Sequence, residues 1–384
     1  MRAGPRVMIS CGEASGDLYA AALARELRAR EPSLSITGLG GDRLREAGAE
    51  LVGDYRGLTV TGLAEALKVL PRSYAIYRRM VASARSDRPD VLVAIDFPDF
   101  NFRLAAAMRR LGVPVVYYIS PQLWAWRAGR MKTMRRIASH VLVIFPFEEA
   151  LYRDAGVPAT FVGHPLVELS APSADRPAFL ASLGLRADWQ TVALLPGSRP
   201  NEVRGILPTL VAAAARIARA RPQTQFVLAR APHLDDALFT AAAQAPVPIA
   251  MVEERSNDVL ASADLTITAS GTATVQAAIH ECPMVIVYRL SGLTYRIGKP
   301  FVRVDTYGMV NLIAGRRVAP ELIQEAFTAP AVAAHALELL EDPEAAARAR
   351  CDLREVRNKL GAPGASRRAA EAVLAIARGA TLLR

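Results

Sequence analysis

Thr268-Ala-Ser-Gly-Thr-Ala-Thr-Val-Gln-Ala-Ala-Ile-His-Glu-Cys282 lies between two apolar runs, Ala263-Asp-Leu-Thr-Ile267 and Pro283-Met-Val-Ile-Val287. The pattern is a strand, a small-residue turn, a short helix and a second strand, which is one βαβ unit. The turn sets Ser270, Gly271 and Thr272 where the helix begins. Backbone N–H groups are unpaired at such a point and the helix dipole favours an anion. A second turn of this kind is Leu194-Leu-Pro-Gly-Ser-Arg199, in which Arg199 adds a cationic fork. Neither is a P-loop, because no lysine follows the glycine in the required pattern. The two turns read either as ordinary strand–helix junctions or, taken together, as a grip on a nucleotide diphosphate.

Outward from this stretch the alternation continues. Strands are expected at Arg6–Ser10, Leu34–Thr37, Asp90–Ile95, Pro114–Ile119, His140–Phe145 and Thr160–Val162. Helices are expected between them at Ser15–Arg30, Ala64–Arg85, Phe102–Leu111, Arg127–Ala138 and Phe147–Ala155. The series restarts at Thr191–Leu195, Gln225–Ala229, Ile249–Val252, Leu265–Thr268 and Met284–Tyr288. The stretch 163–177, rich in Pro, Ser and Ala, reads as a linker, with a domain boundary near residue 165. The fold class is therefore α/β: two Rossmann-like, doubly wound domains facing across a cleft. The domains span 1–165 and 166–320. A helical tail over 321–384, broken at Gly361-Ala-Pro-Gly364, is expected to pack across them. Ligands of such sheets bind beyond the C-terminal strand edges, which places a nucleotide on the second domain and its partner substrate on the first.

Three loops of the first domain stand out. Ser10-Cys-Gly-Glu-Ala-Ser-Gly-Asp17 follows the first strand and carries Gly12, Glu13, Ser15 and Gly16. Its glycines permit close approach of a ligand, and Ser15 or Asp17 reads equally as the N-cap of the next helix. Ile95-Asp-Phe-Pro-Asp-Phe-Asn101 sets two carboxylates at a strand end. Asp99 is the candidate general base for an alcohol nucleophile, with Asp96 orienting the loop; both also read as turn and cap residues. The third loop holds Trp124 and Trp126, whose faces suit a sugar ring or plain packing. The helix after it carries Arg127, Arg130, Lys132, Arg135 and Arg136, too widely spread to form one stripe. In Leu63–Met80, the apolar residues Leu67, Val69 and Leu70 stand beside Lys68, Arg72, Arg78 and Arg79. That mixture suits a membrane interface and suits a buried amphipathic helix as well.

The 384 residues are 52% hydrophobic and 6% aromatic, with a net charge of +10. The charge favours an anionic partner without choosing among nucleic acid, lipid surface and phosphorylated substrate. Three cysteines, Cys11, Cys282 and Cys351, have no metal-ligand spacing and read as thiols in a reducing compartment. No apolar run has signal-peptide or membrane-spanning length. A soluble cytoplasmic protein that touches a membrane surface is the expectation.

Taken in order, Gly12-Glu-Ala-Ser-Gly-Asp17, Gly40-Gly41, Ile95-Asp-Phe-Pro-Asp-Phe-Asn101, Ser120-Pro-Gln-Leu-Trp-Ala-Trp-Arg127, Phe145-Pro-Phe-Glu148, Gly163-His-Pro165, Leu195-Pro-Gly-Ser-Arg199 with Glu202, Ala269-Ser-Gly-Thr-Ala273 and Asn311-Leu-Ile-Ala-Gly-Arg316 resemble the lipid A disaccharide synthase family over nearly the whole chain. The Ser-Pro-x-x-Trp-Ala-Trp block is specific to that family. The resemblance implies an inverting transfer of 2,3-diacylglucosamine from its UDP carrier to 2,3-diacylglucosamine 1-phosphate, giving a β-1,6 disaccharide and UDP. It implies a peripheral enzyme at the anionic inner face of the cytoplasmic membrane, with a lipid acceptor on domain 1–165 and the UDP-sugar on 166–320. It carries Asp99 as base, Arg199 near the diphosphate and Asn311 at the nucleotide. Gln276 stands where the family often has glutamate for the ribose, and its amide oxygen can accept with less charge. Glu202 and the Gly12–Gly16 loop are counted with the substrate site, and Trp124, Trp126, Val69 and Leu70 with the acceptor or membrane side. No cofactor is expected and, with no Asp-x-Asp motif, no metal: Arg199 and helix dipoles would meet the departing charge. A homodimer is left open. The competing readings are a UDP-N-acetylglucosamine 2-epimerase of the same architecture and a non-catalytic basic protein on nucleic acid or membrane. The paired nucleotide-type loops argue against nucleic acid as the partner.

Overall fold

The computed structural model describes residues 4–58, 63–121, 123, 128–232, 234–289 and 306–380, with backbone alone at 63–68 and 128. The chain divides into two compact units. The first holds the described residues up to Pro165 and those from Leu360 onward; the second runs from Leu166 to Lys359.

The sheet of the first unit contains β1 (Arg6–Ser10), β2 (Ser35–Gly40), β3 (Glu50–Asp54), β4 (Val91–Ile95), β5 (Val115–Tyr118), β6 (His140–Val143) and β7 (Ala159–Phe161). All are parallel, in the order β3-β2-β1-β4-β5-β6-β7. Every residue of β4 and β5 is buried. Helices cover both faces of such a sheet, so its central strands are apolar throughout and do not alternate. The second sheet contains β8 (Gln190–Leu195), β9 (Thr224–Arg230), β10 (Ile249–Glu253), β11 (Leu265–Ala269), β12 (Met284–Tyr288) and β13 (Glu321–Ile323). It too is parallel, in the order β10-β9-β8-β11-β12-β13. Two strands were not anticipated, β3 and β13. Each is an edge strand with Glu, Gly or Asp among its few residues, types poorly suited to a pleated surface.

Two local readings change. The Ala14–Arg30 helix starts after Glu13 with no side-chain cap. Asp17 instead caps the Asp42–Glu46 helix, accepting from the N–H of Gly41 (2.7 Å), Arg43 (3.1 Å) and Leu44 (3.3 Å). Burial raises its pKa, although those three donors pull the other way. The stretch 163–177 is folded, not a free linker. Its serine and alanine anchor it: the N–H and hydroxyl of Ser173 donate to buried Asp258 at 2.5 and 2.7 Å. Asp175 then caps the Arg176–Ser182 helix through the Ala178 N–H. The C-terminal helices separate. Ala329–Glu341 packs on Pro200–Ala220 in the second unit, whereas Ala365–Ala377 packs on Ala14–Arg30 in the first. The break between Pro343–Lys359 and Ala365–Ala377 has Gly361 and Gly364 at φ 86° and 92°, a region that favours glycine.

Candidate active site

In each sheet the chain order reverses once. The first sheet reverses between β1 and β4 and the second between β8 and β11. Loops leaving neighbouring strands diverge there and open a crevice, the usual ligand position of an open α/β sheet. The loops singled out from the sequence leave these four strands: Ser10–Asp17 and Asp96–Asn101 in one unit, Pro196–Arg199 and Ser270–Thr272 in the other.

In the first unit, Asn101 ties the two loops together. Its Oδ1 accepts from the Ser10 hydroxyl at 2.6 Å, and its Nδ2 donates to the carbonyls of Asp96 (2.8 Å), Ile95 (3.1 Å) and Ser10 (3.2 Å). The buried Tyr117 hydroxyl also donates to the Asp96 carbonyl, at 2.6 Å. These bonds hold Asp96 and Phe97 at φ 41° and 47°, a conformation that costs non-glycine residues about 1–3 kcal/mol each. Asp96 thus shapes the loop through its backbone. The turn delivers Asp99 at the start of the Pro98–Arg110 helix, where a carboxylate suits the dipole. The Asp99 side chain is 75% exposed, with Arg130 Nη2 2.6 Å from Oδ1. The Arg130 guanidinium also lies 5.5 Å from the centre of the Phe102 ring. Phe97 fills the space beside Gly12, where a Cβ would overlap its ring. The Ser15 hydroxyl donates to Glu13 at 2.7 Å, and a Cβ at Gly16 would stand 3.1 Å from that of Cys11. The glycines of this loop are therefore explained by packing against Phe97 and Cys11.

The two loops of the second unit differ. In Pro196–Arg199, Gly197 has φ 114° and a Cβ there would stand 2.5 Å from Glu202 Oε2. That oxygen accepts from the N–H groups of Ser198 (3.0 Å) and Arg199 (3.2 Å), and Oε1 pairs with Arg199 Nη1 at 3.0 Å. Glu202 is the third residue of the Pro200–Ala220 helix, the carboxylate position of a capping box. Its carboxylate is thus turned onto its own loop and holds Arg199 there. In Ser270–Thr272, Gly271 and Thr272 are exposed and a Cβ at Gly271 would meet nothing within 4 Å. No carboxylate occupies the corresponding helix position. Thr274 does, and its hydroxyl donates to the Gly271 carbonyl at 2.8 Å. Among the described residues, the N–H groups of Gly271 and Thr272 have no protein acceptor.

Asn311 is buried and fully engaged. Its Oδ1 accepts from Val318 (2.7 Å) and Ala319 (2.9 Å), while its Nδ2 donates to the Ala319 carbonyl (2.9 Å) and Glu321 (2.6 Å). Those four bonds use its whole capacity, which makes it a strut, not an open contact for a nucleotide. Glu321, not anticipated from the sequence, also accepts from the N–H groups of Tyr307 (2.8 Å) and Gly308 (3.0 Å). Gln276 is half-buried and donates through Nε2 to Asn257 Oδ1 at 3.2 Å.

On the Leu63–Ser86 helix, Val69 is half-buried and packs against the first unit's core. Leu70 is 50% and Tyr74 61% exposed, with Arg72, Arg78 and Arg79 exposed around them. Trp124 and Trp126 lie outside the described residues. Among the described residues no helix is long and apolar enough to cross a membrane.

The family model described as lipid-A-disaccharide synthetase matches residues 7–376. A lipid-A-disaccharide synthase of Geobacter sulfurreducens is 43% identical over 373 residues, 96% of each chain. One from Myxococcus xanthus is also 43% identical, covering 96% of this chain and 97% of its own. Among solved structures, a UDP-GlcNAc 2-epimerase from Neisseria meningitidis bound to UDP-GlcNAc superposes with a TM-score of 0.67 at 13% identity, covering 96% of this chain and 99% of its own. The S. aureus MnaA–UDP co-structure superposes at 0.68 and 12% identity, covering 99% of each. At that identity the structures share the fold alone: two doubly wound units of the GT-B type. The near full-length identity lies with the synthases, and the chain belongs to the lipid-A-disaccharide synthase family of inverting, UDP-sugar-dependent glycosyltransferases.

Proposed function

We propose that this enzyme moves 2,3-diacylglucosamine from UDP onto a hydroxyl of 2,3-diacylglucosamine 1-phosphate. The acceptor oxygen forms the new β-1,6 bond to the anomeric carbon, the bond from that carbon to the UDP oxygen breaks, and UDP departs with the electron pair. Asp99 takes the hydroxyl proton. Its exposure at the β1/β4 reversal supports this role, because a base must reach the proton that it removes. The diphosphate lies on the Ser270–Thr272 loop. The observation that carries this assignment is the exposed pair Gly271 and Thr272 at the β8/β11 reversal, with their N–H groups at a helix start. Arg199, tethered by Glu202, supplies the cation to the second phosphate. The amide of Gln276 donates to Asn257, which leaves its oxygen to accept from a ribose hydroxyl.

The lipid substrates stay in a bilayer, so the first unit docks on the anionic cytoplasmic leaflet of the inner membrane. Leu70 and Tyr74 enter the interface, and Arg72, Arg78 and Arg79 meet lipid phosphates, each worth about 1 kcal/mol there. Incubation with UDP-2,3-diacylglucosamine and 2,3-diacylglucosamine 1-phosphate, followed by mass spectrometry, tests the reading. A disaccharide 1-phosphate formed in step with UDP is the expected product. No disaccharide, with UDP-N-acetylglucosamine epimerised at carbon 2, would overturn it.

A further inference from the structure

We propose that Glu321 is the positioning residue of the Ser270–Thr272 loop, acting through Tyr307. The inference rests on the reading of that loop as the diphosphate site. Three donors converge on Glu321: the N–H groups of Tyr307 and Gly308 and the Nδ2 of buried Asn311. They fix the backbone at Tyr307, whose carbonyl accepts the Ser270 hydroxyl at 3.1 Å. The Ser270 N–H is held from the other side by the Val287 carbonyl at 3.0 Å. Ser270 is thereby clamped between β12 and the Tyr307 turn, with its one hydroxyl proton committed to the protein.

The serine of Ser-Gly-Thr therefore does not donate to phosphate. It is a strut that aims the next two residues. The donors to the ligand are the N–H groups of Gly271 and Thr272 and the Thr272 hydroxyl. The three converging donors require a carboxylate, because two oxygens accept them all, whereas an amide would turn its own NH2 toward one of them. Glycine at 308 is part of the same joint: a Cβ there would stand 2.5 Å from Ile286 and 3.1 Å from Glu321.

The test is a double-mutant cycle read by calorimetric titration with UDP, UMP and uridine, with melting temperature followed for each variant. Glu321→Gln and Ser270→Ala should each weaken UDP by roughly tenfold, the scale of one well-placed hydrogen bond. Uridine binding should be unchanged by either. The Glu321→Gln/Ser270→Ala pair should lose no more than one of the singles, since both break the same strut. Thr272→Ala should weaken UDP on its own, and Ser270→Thr, which keeps the hydroxyl, should restore UDP binding. If Glu321→Gln does not fold, Glu321→Asp is read in its place with the same outcomes. Equal losses for uridine and UDP, or a multiplicative Glu321–Ser270 pair, would overturn the proposal. So would a harmless Glu321→Gln beside a Thr272→Ala that weakens UDP; in that case the loop reading stands alone. If Thr272→Ala and Ser270→Ala both leave UDP binding unchanged, the loop reading falls and the proposal with it.

Discussion

Each unit sets two loops at the reversal of its sheet, and in each pair one loop is filled or bonded by protein groups while the other presents exposed residues. In the second unit, Glu202 closes the β8 loop by accepting the N–H groups of Ser198 and Arg199, whereas Gly271 and Thr272 of the β11 loop are exposed. In the first, Phe97 fills the space beside Gly12 in the β1 loop, whereas the β4 loop carries Asp99 with its side chain 75% exposed. The difference teaches that a small-residue turn before a helix does not by itself offer an anion site. What decides is whether a carboxylate three residues into the helix has already taken the donors.

The largest expected break in this comparison is at Asp99. Asp99→Ala should lower turnover by about 100-fold or more, the usual worth of general-base assistance. UDP affinity and melting temperature should stay as they are. Near-normal turnover in this variant would leave the open loop of the first unit without its chemistry.

A carboxylate can also be built into the open loop of the second unit. Thr272→Glu places one at the first residue of the Thr272–Ile279 helix, at an exposed position where the dipole tolerates it. UDP should bind about 10- to 100-fold more weakly, because a carboxylate at the loop competes for its N–H donors and adds like charge. Uridine should bind as before. A variant that binds UDP normally would erase the distinction between the open and closed loops.

The smallest expected effect concerns the exposed face of the Leu63–Ser86 helix. Leu70→Glu with Tyr74→Glu changes two exposed residues, so stability should move by no more than about 0.5 kcal/mol for each. Binding to liposomes containing anionic lipid should fall by roughly tenfold and become less dependent on salt. UDP affinity should not change. Undiminished liposome binding would move the docking surface away from the Leu63–Ser86 helix.

The parallel sheets were legible in the sequence because their inner strands are unbroken apolar runs, such as Val91-Leu-Val-Ala-Ile95 and Met284-Val-Ile-Val-Tyr288. Two of the four edge strands, β3 and β13, were not, since Glu, Gly or Asp stand among their few residues. Loop positions were legible too, because each follows a strand end. Loop occupancy was not. Glu202 reads in the sequence as one more polar residue at the site, and only its geometry shows it bonded to two backbone donors. Asn101 reaches Ser10 across 91 positions, and Asp17 caps a helix 24 to 27 residues further on. Glu321 sits at the start of a short edge strand, where no local pattern points to Tyr307. Such pairings are set by packing and have no signature in the spacing of residues.

The most direct measurement is a nitrogen–proton NMR titration of the labelled enzyme with UDP, following the backbone amides of Ser198, Gly271 and Thr272. The amides of Gly271 and Thr272 should shift downfield as they take up phosphate oxygens, while Ser198, already bonded to Glu202 at 3.0 Å, should hold its position. Shifts at Ser198 with none at Gly271 and Thr272 would contradict the account, because the diphosphate would then lie on the loop that Glu202 closes.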